Sequence, residues 1–144
     1  MKISTKGKYG IKAMMDLALQ HGEGSTPLKD ISERQGVSEP YLEQIIAAFK
    51  KAGLVSSIRG VQGGYQLAMA PEDISVAKII TVLEGPLLPF EASGNGQTLE
   101  ETVLEKLWDR VRENLLGLLD QVTLADLIAD VKVLQEKNAP MYYI

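Results

Sequence analysis

The stretch that most restricts how this chain can fold runs from Thr26 to Ala68, where two short helical patterns are followed by a hairpin pattern. Thr26 and Pro27 read as an N-cap and a first helical residue, Leu28 and Ile31 share one helical face, and Gly36 stops the helix. Val37 leads to Ser38, a second N-cap. The helix it opens, over residues 39–52, carries Leu42, Ile45, Ile46 and Phe49 on one side, with Gly53 just past its end. Two short helices joined by Gln35-Gly36-Val37-Ser38 have the spacing of a helix-turn-helix, whose second helix is the one that enters a DNA major groove. Residues 54–58 and 65–68 read as strands joined by the flexible, glycine-rich loop RGVQGG. Helix-turn-helix plus hairpin predicts a winged helix, with Arg59 at the tip of the wing.

The flanking segments are helical too, so the predicted fold class is mainly α. Upstream, Ile11, Met14, Met15, Ala18 and Leu19 recur at helical spacing over residues 9–21, closed by Gly22 and Gly24. Downstream, Val76, Ile79, Ile80 and Leu83 outline a helix over residues 75–83. A Pro- and Gly-rich linker, GPLLPFEASGNGQ, follows. Thr98 and Glu101 form a capping box that opens a long helix. Its apolar residues Leu104, Trp108, Val111, Leu115, Leu118 and Val122 alternate in steps of four and three, the spacing of a coiled-coil seam, and a seam needs a partner surface. Thr123 with Asp126 caps a last helix to about residue 136. The predicted organisation is a winged helix-turn-helix DNA-binding domain over residues 1–84, a linker over 85–97, dimerisation helices over 98–136 and a C-terminal tail over 137–144.

Charge is unevenly shared. The net charge of −4 at pH 7 argues against a uniformly basic nucleic-acid binder, but residues 1–70 hold nine Lys and Arg against six Asp and Glu, and residues 71–144 hold six against thirteen. The halves are thus +3 and −7 and face different partners. With 144 residues and 45% hydrophobic content the chain can build an ordinary single core. It contains no cysteine, which excludes disulfides, thiolate catalysis and thiolate metal sites. The start MKISTKGKYG lacks a signal-peptide apolar run, and no stretch approaches the ~18 apolar residues that suggest a bilayer span. A cytoplasmic protein with no membrane partner is expected.

Candidate binding residues cluster where the fold prediction places DNA. Ser38, Glu39, Pro40, Tyr41, Glu43 and Gln44 occupy the exposed start of the third helix. Glutamine can bond bidentately to adenine, glutamate can accept from the cytosine amino group, and tyrosine or serine can bond phosphate or base edges. Arg59 is suited to the negative potential of a narrow minor groove, and Gly60 lets the backbone come close. Lys2, Lys6, Lys8 and Lys12 around the first helix are candidates for phosphate contact, against the alternative of a solvated lysine face. His21, the one histidine, has no triad context, and the glycine loop lacks the GK[ST] ending of a phosphate loop. No catalytic residue, metal ligand or cofactor is predicted, and an enzyme is not expected. The acidic chain ends on Pro140, Met141, Tyr142, Tyr143 and Ile144; this tail either docks on its own dimer or offers a free terminal carboxylate as a ligand.

Read in order, MKISTKGKYGIKAMMDLAL, SEPYLEQI, KKAGLVSSIRGVQGGYQL and ITVLEGP closely resemble the Rrf-two family of bacterial winged-helix repressors, from Met1 to about Pro89. The resemblance implies base readout by Tyr41, Glu43 and Gln44, backbone contact by Ser38, minor-groove insertion of Arg59 and dimerisation through the long helix. Pro40 departs from the serine common in cluster-binding members. Those members also carry three linker cysteines, and residues 85–107 here have none, so an iron–sulfur cluster has no thiolates to hold it. The chain therefore looks like the family's cluster-free branch, repressors of cysteine metabolism controlled through a complex with cysteine synthase. On that resemblance Tyr142, Tyr143 and Ile144 become candidates for binding the synthase. The competing reading is a winged-helix protein-interaction module without specific DNA readout.

Overall fold

The structure is a computed structural model that describes residues 3–85 and 98–138. Residues 86–97 of the expected linker lie outside the described residues, as do Tyr142, Tyr143 and Ile144 of the tail.

Helix α1 (Thr5–Leu19) begins before its apolar pattern does, because Ser4 caps it: the Ser4 Oγ accepts from the Gly7 N–H at 3.0 Å. The serine is itself anchored by Glu84, whose Oε1 accepts from the Ser4 N–H at 2.8 Å and from the Ser4 hydroxyl. Helix α2 (Leu28–Gln35) starts one residue later than expected, with Pro27 as N-cap and no side chain capping it. Thr26 is therefore not the cap. It is buried and forms an antiparallel bridge with Tyr65, each N–H donating to the other's carbonyl at 2.8 Å. Those two backbone bonds hold Thr26 extended and commit it to the wing. Gly36 ends α2 in the left-handed region at φ 66°, where a Cβ is disfavoured. Ser38 then caps α3 (Glu39–Lys51), which buries Leu42, Ile45, Ile46 and Phe49 and ends on Lys50 and Lys51, favourable charges for a helix C-terminus.

The wing follows at once. Strands β1 (Val55–Ile58) and β2 (Gly64–Leu67) pair antiparallel, Val55 opposite Leu67 and Ile58 opposite Gly64. Val55 and Leu67 are buried, rooting the hairpin in the core, while Ile58, Arg59 and Gly60 at its far end are exposed. The Thr26 bridge gives this hairpin a third, short edge.

Helix α4 (Val76–Glu84), capped by Ser75, buries Val76, Ala77, Ile79 and Ile80. Thr98 and Glu101 form the capping box of α5 (Leu99–Gln121), and Thr123 with Asp126 form the corresponding pair at α6 (Leu124–Asn138), at 3.0 and 3.2 Å. The corner between α5 and α6 is pinned to the start of α4: the Val76 N–H donates to the Val122 carbonyl at 2.8 Å and the Leu124 N–H to the Ile74 carbonyl at 2.9 Å. Leu124 and Ile128 of α6 join Met14, Leu17, Ile31, Leu42, Ile46 and Phe49 in one core. Of the two helices grouped for dimerisation, α6 thus directs its buried residues into its own chain.

Helix α5 behaves differently: none of its residues is buried. Leu116 and Leu119 lie half-buried against Val76 and Ile80, together with Val122, which the seam spacing had placed on the outer stripe. Leu104, Val111 and Leu118 are 46%, 38% and 60% exposed, while Trp108 and Leu115 are half-buried. Among the described residues no helix is long and apolar enough to cross a membrane.

Candidate nucleic-acid interface

The first half of α3 presents Ser38, Glu39, Pro40, Glu43 and Gln44, all exposed, and Ala47 continues the face one turn on. This follows from the helical period: Leu42, Ile45, Ile46 and Phe49 take the buried side, so the residues between them face out. The Ser38 Oγ accepts from the Tyr41 N–H at 3.4 Å, a long capping bond that leaves the hydroxyl hydrogen to donate elsewhere. Tyr41, expected on the same exposed face, is instead half-buried, because its ring packs against the core. Its ring meets the Tyr9 ring edge to face, with centroids 6.2 Å apart and planes at 89°, and the Lys12 Nζ lies 5.4 Å from the Tyr9 centroid. A lysine, a tyrosine and a second tyrosine therefore link α1 to the start of α3. Tyr9 went unnoticed in the sequence, where nothing marks it except helical spacing.

A second feature hidden in the sequence fixes how α2 meets α1. Asp16, on α1, is 3% exposed. Arg34 grips it with two bonds, Nε to Oδ2 at 2.9 Å and Nη2 to Oδ1 at 2.8 Å, and Gln35 adds Nε2 to Oδ2 at 2.9 Å. The bidentate geometry satisfies a carboxylate that burial would otherwise penalise. Through these hydrogen bonds Asp16 raises the Arg34 pKa above its ordinary value, and the guanidinium stays charged. The clasp lies at the end of α2, immediately before the Gly36 turn. The Ser32 hydroxyl donates across that turn to the Val37 carbonyl.

In the wing, Arg59 is exposed and has no ion-pair partner among the described residues. Gly60 has φ 120°, a conformation that side chains rarely adopt. The other two glycines are needed for space. A Cβ on Gly63 would lie 2.4 Å from the Ile58 carbonyl oxygen, and one on Gly64 would lie 2.3 Å from that of Thr26. The loop that reads as flexible is a closed turn. Of the lysines near α1, Lys8 and Lys12 are exposed, Lys6 is half-buried, and Lys2 lies outside the described residues.

A capped helix with a polar exposed face, held by a preceding helix and followed by a rooted hairpin with an exposed arginine, defines a winged helix-turn-helix DNA-binding protein. Comparison with known proteins gives the family. Residues 3–130 match the Rrf2 (Rrf-two) family, described as iron-dependent transcriptional regulators, and the chain belongs to that family. It is 46% identical over 144 residues to the transcriptional regulator CymR of Bacillus subtilis, covering the whole of both chains. It superimposes on a solved structure of CymR, titled the global cysteine regulator of B. subtilis, with TM-score 0.80, 46% identity and coverage of 90% of this chain and 97% of that one. A solved structure of T. potens IscR matches with TM-score 0.76 and 49% identity, covering 99% of this chain and 95% of that one. These relatives are transcriptional regulators, not enzymes, and this chain is a DNA-binding transcriptional regulator of the same kind.

An iron–sulfur cluster does not fit the residues present. A cluster calls for thiolates, and the chain has no cysteine. Among the described residues no three His, Cys, Asp or Glu side chains are grouped to hold a metal ion.

Proposed function

We propose that the chain acts in the cytoplasm as a homodimeric repressor of cysteine or sulfur metabolism genes. Tyr41, Glu43 and Gln44 read bases in the major groove and Ser38 bonds the phosphate backbone. Lys6 adds a phosphate contact, and Arg59 with Gly60 enters the minor groove. The observation that carries this reading is the joint exposure of the α3 face and the Arg59 wing on one shared core. The exposed stripe of Leu104, Val111 and Leu118, with Trp108 and Leu115 beside it, supplies a surface for a second copy. The likeness to a regulator named for cysteine supports the gene class. Control comes from cysteine synthase, which captures the tail residues Tyr142, Tyr143 and Ile144.

Selection of bound duplexes from a random pool, followed by anisotropy titrations of the selected sequence and a scrambled one in rising salt, tests the DNA assignment. The expected result is tight, salt-dependent binding with strong preference for the selected sequence. Equal affinity for both duplexes would favour a protein-interaction module instead.

A further inference from the structure

The RGVQGG run of the wing contains three glycines, so only Arg59, Val61 and Gln62 carry side chains there. Gln62 is tied down through its backbone, its carbonyl accepting from the Ser25 hydroxyl at 2.7 Å. Val61 is the most exposed large apolar side chain among the described residues, at 107% of the reference area. The backbone that presents it is closed: the Gly63 N–H donates to the Gly60 carbonyl at 3.0 Å, and Gly64 abuts Thr26. One exposed valine is ordinary on a protein surface. This one is held out at the apex, two residues from the only cation of the loop.

We infer that Val61 is a second specificity-determining residue of the wing, packing on the adenine C2–H at the floor of the minor groove and rejecting the guanine 2-amino group. The inference rests on the wing being a minor-groove element. In that groove A·T and T·A pairs show only the acceptors adenine N3 and thymine O2, whereas a G·C pair adds the guanine amino donor. Arg59 offers donors that match the acceptors. Val61 offers neither donor nor acceptor. Against adenine it covers a C–H group; against guanine it would cover an amino group and leave that donor without a partner. The two side chains select the same base pair by different routes, attraction to an acceptor and exclusion of a donor.

Inosine separates these effects, because an inosine·cytosine pair keeps the major-groove face of G·C and lacks the 2-amino group. The full-length protein is titrated with its selected duplex after protection of adenine N3 from dimethyl sulfate has located the base pair under the wing. That position is then built as A·T, G·C or I·C. The parent protein is expected to bind A·T and I·C alike and G·C roughly tenfold more weakly. Val61→Asn, whose amide oxygen accepts from the guanine amino group, should bring G·C to within about twofold of I·C, and Val61→Ser should narrow the gap in the same direction. Equal weakness of I·C and G·C in the parent, or an unchanged ratio in both variants, overturns the role of Val61 while adenine protection and a loss of binding in Arg59→Ala leave the wing reading standing. Absence of both protection and the Arg59→Ala effect removes the wing reading and the inference with it.

Discussion

At the scale of single residues, Asp16 and Arg59 show opposite uses of charge. Asp16 is buried and bonded to three donors from the end of α2, so its work is to hold the helix-turn-helix in register with α1. Asp16→Ala removes the acceptor of all three bonds, and urea unfolding should show a loss of about 1–3 kcal/mol. An unchanged midpoint and slope would mean that the clasp adds no stability. Arg59 is exposed and unpaired among the described residues, so its removal should leave stability within about 0.5 kcal/mol. Operator binding should instead weaken by about 1–3 kcal/mol, with relaxed preference for A·T beneath the wing. Anisotropy titration beside the unfolding curve checks both halves of that statement.

At the scale of elements, the wing is held in position from outside the hairpin. The Thr26 bridge brings the α1–α2 connection against β2, and Gly64 makes the approach possible because any Cβ there would meet the Thr26 oxygen at 2.3 Å. The obstruction is backbone and cannot swing aside as a side chain would. Gly64→Ala should therefore destabilise by roughly 1–3 kcal/mol, the range for inserting a carbon into a packed site. It should also expose the Thr26 and Tyr65 amides to hydrogen exchange. Preserved protection of those two amides would show that the bridge tolerates the added methyl.

At the scale of the whole molecule, α5 carries the surface on which the proposed dimer rests. It lies on Val76 and Ile80 through Leu116, Leu119 and Val122 and leaves a stripe of leucine and valine in water. Covering that stripe with a second copy imposes two-fold symmetry, and with it an operator of two inverted half-sites. Val111→Asp combined with Leu115→Asp would place unpaired charge in the interface; sedimentation should give monomers, and operator affinity should fall with dimerisation. A dimeric, DNA-competent double variant would sink the assignment. For the tail, deletion of Tyr143 and Ile144 should abolish heat of binding to cysteine synthase while sedimentation still reports a dimer. Undiminished binding by the truncated chain would rule that mode of control out.

The helices, the caps at Ser38, Thr98 and Thr123, the turn at Gly36 and the hairpin were legible in the sequence because each is set by neighbours in the chain. Serine or threonine before an apolar run, an acidic residue three positions on, and glycine at a helix end act within a few residues. The exposed α3 face was legible for the same reason, since the period that buries Leu42, Ile45, Ile46 and Phe49 also decides what remains outside. The Thr26 bridge, the Asp16 clasp, the Tyr9–Tyr41 contact and the inward turn of Val122 were decided by the tertiary structure. Each depends on groups distant in sequence arriving at one place: Asp16 and Arg34 are 18 residues apart, and local pattern carries no record of such meetings. In the wing the sequence settled that a turn would form, and the fold settled that two of its glycines are needed for closeness to Ile58 and Thr26, because only the assembled backbone shows what a Cβ would strike.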